Sequence, residues 1–344
     1  MRHQKVRIGL FGTGDFGPFL APYITEVGDL VAICDPNAQN RNTFAEKTGL
    51  HVAKYENPEQ LFDEQEIDAV VLTTPNHTHK PLTIAAAQRG KHVFCEKAMA
   101  PTVADCWEMV RACKQADVRL MVGHKRRLRP PWVRMIELKQ NLGPVHAITY
   151  MQYHDARPYN FGGWWTRRAE SGGILDVAGV HEIDFMRGMC GDVENVCART
   201  APPIDTRYNY SDTIHVLLQF HAGAVGSMNS SLSYPLLKFR EACGTDVICR
   251  EGGMRLITFM DHIDLYWQHQ DDTSSRHERF HDLGFDHAFR KELGDFVSWI
   301  TEGIEPCLTW REGLRCVEVM EGAHRSANQD GTWLKLPLHP ELEV

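Results

Sequence analysis

"KVRIGLFGTGDFGPFLAPYI", Lys5–Ile24, decides how the first third of the chain folds. Val6–Phe11 is an alternating apolar strand pattern, and it runs straight into G-x-G-x-x-G at Gly12, Gly14 and Gly17. An apolar helix follows with Pro18 in its first turn, where a missing N–H costs little. Each glycine has a physical task. Gly12 permits the tight turn, Gly14 lets backbone approach a pyrophosphate, and Gly17 lets helix and strand pack closely, with the helix N-terminus facing the phosphates. Thr13, Asp15 and Phe16 lie on the same loop and are cofactor-contact candidates with the glycines.

The glycine pattern alone is common, and its surroundings give it weight. A second strand, "DLVAICD" (Asp29–Asp35), ends on an acidic residue. At that distance Asp35 accepts hydrogen bonds from adenosine ribose hydroxyls and repels a 2′-phosphate, which favours NAD over NADP. The alternation continues through the strand "IDAVVLTTP", the helix "KPLTIAAAQRG", the strand "KHVFCEK", the helix "TVADCWEMVRACKQAD" and the strand "VRLMVGH". Such alternation predicts a parallel sheet covered on both faces, with ligands at the carboxyl ends of its strands. "TTPNHTH" (Thr73–His79) and "CEKAMA" (Cys95–Ala100) lie at such ends. The nicotinamide half is therefore expected near Asn76, Glu96 and Lys97, with Thr74, Pro75 and His79 as further contacts.

With 344 residues the chain has room for two domains, and 43% apolar with 24% charged residues is ordinary for a globular protein. A net charge of −8 disfavours nonspecific nucleic-acid binding, which needs basic patches. The dense basic run "HKRRLR" (His124–Arg129) is short and suits a local anion or hydroxyl site better. Ten cysteines lie scattered in apolar stretches without a C-x-x-C pair, as buried thiols in a reducing compartment would. The N-terminus has no secretory apolar region, and no run approaches the ~18 residues of a membrane span. A cytoplasmic protein without membrane or nucleic-acid partners is the expectation.

Past residue 124 the texture changes, so the expected division is 1–124 and 125–344. "RPPWVRMIELKQNLG" reads as linker and helix, "PVHAITYMQYH" as a strand, and "DARPYNFGGWWTRRAE" as an aromatic and basic loop. "SGGILDVAGVHEIDFMRGMCG" (Ser171–Gly191) is a glycine-rich turn opening a helix, with His181, Asp184 and Phe185 at helical spacing. From about Val193 to Trp267 alternating strands predict an antiparallel sheet. Two amphipathic helices close the chain.

Five stretches in order, "GLFGTGDFG", "TTPNHTH", "CEKAMA", "SGGILDVAGVHEID" and "EGLRCVEVMEGAHRSANQDGTW", resemble the Gfo/Idh/MocA oxidoreductases over about Val6–Leu336. The resemblance implies an N-terminal Rossmann domain, then a C-terminal α/β domain on a large open, mainly antiparallel sheet whose face often mediates dimers or tetramers. It implies hydride transfer between a nicotinamide cofactor and a secondary hydroxyl of a sugar, sugar derivative or cyclitol. Lys97 and His181 would be the acid/base groups, since a cationic nicotinamide nearby lowers their proton affinity toward working pH.

Two positions depart from the family pattern. Ala98 stands where a proline usually follows the lysine. The family commonly has its catalytic aspartate four residues before the histidine, where this chain has Val177; Asp176 lies five before, a poor spacing for one α-helical face. Asp176 is thus either catalytic or a helix cap. Asp184 either orients His181 or only packs. Lys125, Arg126, Arg127, His154, Trp164, Trp165 and Arg167 are candidates to hold sugar hydroxyls, and so many cations also admit an acidic sugar or a phosphate.

Three other readings remain. Relatives that cleave glycosidic bonds by transient C3 oxidation would use the same groups. A sensor that has lost catalysis is disfavoured by the presence of Lys97 and His181. "HERFHDLGFDH" (His277–His287) spells H-E-x-x-H-x-x-G-x-x-H, a zinc-peptidase string with His277, His281 and His287 as ligands and Glu278 as base. That string needs a helix, yet polar, turn-like "YWQHQDDTSSR" precedes it, and no methionine turn follows because Met320 sits in an amphipathic helix. No metal is expected; the string should end the sheet domain as a polar loop near the substrate mouth and lead into a helix near Asp286.

Overall fold

A computed structural model of the chain describes residues 5–157, 163–234, 241–259, 261–282 and 284–342. The chain divides into two compact units, Met1–His124 with Phe289–Leu314, and Lys125–Ala288 with Arg315–Val344.

The first unit alternates β1 (Arg7–Phe11), α1 (Phe16–Val27), β2 (Asp29–Cys34), α2 (Ala38–Thr48), β3 (Ala53–Tyr55), α3 (Pro58–Glu64), β4 (Ala69–Leu72), α4 (Asn76–Gln88), β5 (His92–Glu96), α5 (Val103–Gln115) and β6 (Leu120–Gly123). Its six strands pair in parallel in the order β3-β2-β1-β4-β5-β6. The strand order reverses between β1 and β4, the switch point at which such sheets bind ligands. Ile8, Leu10, Val70, Val71, Val93, Phe94, Met121 and Val122 are buried on these strands. Each contributes on the order of 1.5–3 kcal/mol of apolar burial. Asn37 and Asn57 cap α2 and α3 by accepting from Gln39 N and Gln60 N, both at 2.9 Å, and Pro58 occupies the first turn of α3.

The second unit holds α6 (Pro130–Leu142), β7 (Val145–His154), α7 (Arg168–Ser171), α8 (Val180–Cys190), β8 (Val193–Thr200), β9 (Thr213–Phe220), β10 (Val225–Ser231), β11 (Glu241–Cys249), β12 (Gly252–Thr258), β13 (Ile263–His269) and β14 (Arg276–Phe280). Then come α9 (Phe285–Thr301), α10 (Trp310–Asn328) and β15 (Leu334–Lys335). Nine strands form one sheet, β14-β13-β12-β11-β7-β10-β9-β8-β15, antiparallel except for the β7–β10 pair. Along β9, Ile214, Val216, Leu218 and Phe220 are buried and the residues between them are not. Period-two burial means one face packs and one stays open. Met151, Leu217, Val225 and Ile248 are exposed hydrophobics of these strands.

The expected division was 1–124 and 125–344; by packing, Phe289–Leu314 is part of the first compact unit. Aromatic packing accounts for this. Phe289 lies 5.9, 5.3 and 5.5 Å, ring centre to ring centre, from Phe16, Phe19 and Tyr23 of α1. Phe296 meets Phe94 at 5.7 Å, and Trp310 meets Trp107 at 5.9 Å. Large rings bury the most apolar area and gain further from tilted contacts. Among the described residues no helix is long and apolar enough to cross a membrane.

Candidate active site

The glycine loop joins β1 to α1. Gly12 has φ +89°, and a Cβ there would lie 2.8 Å from the Thr73 carbonyl oxygen. A Cβ on Gly17 would lie 2.0 Å from the Gly12 carbonyl oxygen. Both glycines are demanded by the protein itself. Gly14 differs: the one described atom within 4 Å of its Cβ position is Asn40 Nδ2, at 3.8 Å. Its small size therefore leaves room for something other than protein. Asp15 stands at the N-cap of α1 without a side-chain cap hydrogen bond, and Phe16 opens the helix. An uncapped helix start beside an open glycine fits a pyrophosphate.

Asp35 follows β2 and is 6% exposed. Its Oδ2 accepts from the Thr13 backbone N–H at 2.7 Å, from Thr13 Oγ1 at 3.2 Å and from Asn40 Nδ2 at 3.2 Å. Its Oδ1 accepts from Asn37 N at 2.8 Å. The carboxylate thus fixes the glycine loop as well as marking the strand end where the adenosine ribose is expected.

At the end of β4, Thr73 Oγ1 donates to the carbonyls of Gly12 and Phe11 at 2.7 and 3.0 Å, tying this strand end to the glycine loop. Thr74 and Pro75 lead into α4, where Asn76 and His79 are buried. The His79 ring spans two loops, with Nε2 2.9 Å from the Thr74 carbonyl oxygen and Nδ1 3.0 Å from that of Ala98. Burial drives its pKa down to about 4, against the two carbonyl contacts, so the ring is neutral and donates to one carbonyl at a time. The Ala98 end of this brace adjoins Lys97, in the loop that follows β5. Lys97 is partly exposed, its backbone N–H is 3.3 Å from Glu96 Oε2, and the Lys97–Ala98 peptide is cis. The cofactor residues expected from the sequence thus lie at the carboxyl ends of β1, β2, β4 and β5, on the strand ends, the loops that follow and the first turns of α1 and α4.

In the second unit Asp176 and His181 share one helical stretch. Residues Leu175–Gly179 form a π-helical turn that continues directly into α8. A π turn bonds i to i+5. Asp176 lies inside this π turn and His181 in the first turn of α8, five residues on. Asp176 is buried, not an exposed helix cap, and burial pushes its carboxyl pKa up. His324 Nε2 lies 3.3 Å from its Oδ2.

The basic run serves α8. Arg126, in a 3-10 turn over Lys125–Leu128, pairs with buried Glu182 at 2.7 Å and donates to Tyr150 Oη at 2.9 Å. Arg127 grips Asp184 with two parallel bonds of 2.8 and 2.5 Å. Both guanidiniums, expected to hold substrate, are committed to carboxylates of the helix that carries His181. The same grip answers the question about Asp184: both its oxygens face Arg127. Such buried pairs fix geometry more surely than they add stability. Lys125, at the start of that turn, is partly exposed. Trp164 and Trp165 meet edge-on at 6.1 Å, the Trp165 carbonyl accepts from Tyr210 Oη, and Arg167 pairs with Glu170 at 2.5 Å. His154 ends β7, and its carbonyl accepts from Tyr234 N at 3.2 Å. Glu182, Tyr210, Arg168 and His324 escaped the sequence reading, because nothing in the stretches that hold them points to their partners.

"HERFHDLGFDH" is not a helical metal motif, nor is it the polar loop expected there. His277, Glu278 and Phe280 lie in β14, the edge strand paired with β13, and Leu283 lies outside the described residues. His277 Nε2 faces Asp264 at 2.9 Å, its ring stacks on Tyr266 at 4.5 Å, and Glu278 pairs with Arg134 at 3.3 Å. The one-turn helical spacing of His277 and His281 that a zinc peptidase requires is absent, because extended strand occupies that segment. The expected helix does follow, from Phe285.

Comparison with known proteins agrees with this architecture. The NAD-binding Rossmann fold of an oxidoreductase family matches residues 6–124, and the C-terminal alpha/beta domain of the same family matches 135–336. The chain is 28% identical to a myo-inositol 2-dehydrogenase of Thermotoga maritima, over 94% of this chain and 97% of that one. It is 32% identical to a 2,7-anhydro-N-acetylneuraminate hydratase of Mediterraneibacter gnavus, over 63% of this chain and 59% of that one. The WlbA dehydrogenase of Bordetella pertussis, solved with NADH and UDP-GlcNAcA, superposes with TM-score 0.84 at 25% identity, over 97% of this chain and all of that one, 100%. With both family domains matched in order and the glycine loop shaped for a dinucleotide, the chain belongs to the Gfo/Idh/MocA family of NAD-dependent sugar and cyclitol oxidoreductases.

Proposed function

We propose that this protein is a dehydrogenase that moves hydride between NAD and a secondary hydroxyl or ketone of a sugar, sugar derivative or cyclitol, with Lys97, His181 and Asp176 handling the proton. The observation that supports it is the π turn over Leu175–Gly179, a wider turn than an α turn at the point where Asp176 precedes His181 by five residues. Bound NAD supplies the hydride acceptor at its nicotinamide ring. Gly12, Thr13, Gly14, Asp15, Phe16, Gly17 and Asp35 hold its adenosine and phosphate half, and Thr74, Pro75, Asn76, His79, Glu96 and Lys97 its nicotinamide half. A carbinol carbon releases hydride readily only as its hydroxyl proton leaves, so the site needs a base. Lys97 takes that proton, and His181 with Asp176 passes it on. Lys125, His154, Trp164, Trp165 and Arg167 contact the sugar; Arg126 and Arg127 act by fixing the helix of His181. The carboxylate of Asp35 favours NAD over NADP.

A second reading is favoured by the likeness to an anhydro-sugar hydratase: transient oxidation followed by elimination, with the cofactor regenerated. The open sheet face with Met151, Leu217, Val225 and Ile248 is the surface through which we expect a homodimer or homotetramer to form.

One experiment tests the main reading. A panel of sugars, polyols and cyclitols is assayed with NAD and NADP for reduced nicotinamide, using the wild type and Lys97→Met. Net NADH from at least one member, reduced ~100-fold or more in the variant at saturating NAD, is the expected outcome. Product release without net NADH selects the elimination reading. No turnover together with no NAD binding overturns both.

A further inference from the structure

The buried surroundings of Asp176 assign a role to a histidine far along the chain. His324 of α10 is 4% exposed and places Nε2 3.3 Å from Asp176 Oδ2. Its other nitrogen, Nδ1, lies 3.4 Å from Nη1 of Arg168 in α7. A guanidinium only donates and stays protonated throughout the working range. Nδ1 must therefore be the acceptor, which leaves the single proton of a neutral imidazole on Nε2, pointing at Asp176.

Two glycines keep this chain of contacts in place. A Cβ on Gly172 would lie 2.3 Å from Asp176 Oδ1, and one on Gly173 would lie 2.9 Å from His324 Cε1. Both have positive φ, +91° and +123°. The carboxylate and the imidazole thus sit against a turn that only glycine can make. The titratable or charged groups facing Asp176 are His324, Arg168 and Tyr210.

We propose that His324 is the positioning residue of Asp176: a neutral imidazole, its tautomer set by Arg168, whose Nε2–H holds the carboxylate five residues before His181. This rests on the reading of Asp176 as part of the proton-handling set. The chemistry favours a neutral donor. It stabilises the ionised carboxylate by one hydrogen bond without cancelling its charge, so Asp176 still accepts a proton. Loss of the donor removes one of the interactions that oppose burial and raises the proton affinity of Asp176 further. A side chain that only filled space would not act on that affinity.

The test uses the full-length protein with two independent readouts. Nitrogen-15 NMR of histidine-labelled protein at pH 7, with His324 assigned by its loss in His324→Gln, is expected to show the neutral Nε2–H tautomer. In Arg168→Met the proton should stay on Nε2, facing Asp176, while the Nδ1 resonance shifts as its hydrogen bond is lost. Turnover of myo-inositol with NAD is followed against pH for wild type, His324→Leu and His324→Gln, with Asp176→Asn as control. Replacement by Leu should lower kcat about 10-fold or more and move the acid limb of kcat/KM up by about one pH unit, and Gln, which keeps a side-chain N–H, should restore most of both.

An imidazolium, or an Nδ1–H tautomer in the wild type, overturns the proposal. So does an acid limb that stays in place in His324→Leu while Asp176→Asn is inactive. If His324→Leu does not fold, the Gln variant and the tautomer decide. Full activity in Asp176→Asn overturns instead the catalytic reading of Asp176, and the proposal with it. If myo-inositol is not turned over, the tautomer and its response to Arg168→Met decide alone.

Discussion

Asp176, inside the π turn over Leu175–Gly179, precedes His181 of α8 by five residues. In a regular α-helix residues five apart point in different directions, because a turn takes 3.6 residues. Deleting Ala178 should let an α turn replace the π turn and restore a spacing of four, with turnover within about 10-fold of wild type. Inserting one alanine after Ala178 gives six, which neither turn accommodates, and should cost ~100-fold or more. Equal activity of the two variants would show that the spacing carries nothing.

The glycine loop separates fold from cofactor binding. Gly17→Ala forces a methyl to within 2.0 Å of the Gly12 carbonyl oxygen, so the loop must shift and the thermal midpoint of the apo protein should fall by several degrees. Gly14→Val meets open space. Its apo midpoint should stay within a degree or two while NADH binding, followed by fluorescence, weakens about 10-fold or more. Unweakened binding in Gly14→Val would contradict the assignment of that space to the pyrophosphate.

The first unit was legible because each strand ends in a short string that supplies its own chemistry. Thr13 and Asp35 meet across a single βαβ unit, and the parallel sheet follows from the alternation of apolar strands with helices. The second unit was not, because its decisive contacts join distant residues of ordinary type. Asp176 and His324 are 148 residues apart, and Arg126 and Arg127 were read as substrate ligands because nothing local points them at Glu182 and Asp184. The five-residue spacing was visible, but the π turn that accommodates it was not, since "LDVAG" carries no propensity signal for one. The packing of Phe289–Leu314 within the first compact unit was not legible either, because aromatic rings at helical spacing show that a helix packs, not on what.

Asp35 braces Thr13, and the proposed function also gives it the choice between cofactors. Asp35→Ser should remove the charge that repels a 2′-phosphate while weakening the loop. NADH affinity should fall and the NADH to NADPH affinity ratio should drop about 10-fold or more, measured by fluorescence titration without any substrate. An unchanged ratio would remove Asp35 from cofactor selection.

His277 spends its Nε2 on Asp264, and Arg279 pairs with the same carboxylate at 2.8 Å, which holds that carboxyl pKa well below the usual range. This edge-strand ion cluster explains the histidine string without a metal. Purified protein should carry no stoichiometric zinc, and exposure to a chelator should leave NADH binding unchanged. Zinc at one equivalent, lost in His277→Ala, would overturn this account of β14.

His79 makes stability depend on pH in a stated direction. Its native pKa is about 4, below the ordinary 6.5, so between those values the unfolded chain binds a proton that the folded chain excludes. The contribution is fully present above about pH 6.5 and is lost as pH falls toward 4, up to roughly 3 kcal/mol over the window. His79→Gln removes this titration and also weakens the brace between the Thr74 and Ala98 carbonyls. The variant should be less stable than wild type at pH 7.5 by about 1–3 kcal/mol, and the gap should narrow by pH 5 because only the wild type loses the histidine term. Paired thermal midpoints at the two pH values measure it, since other titrating groups cancel in the difference. A gap that widens on acidification would mean that His79 is protonated in the folded protein, bridging both carbonyls as an imidazolium.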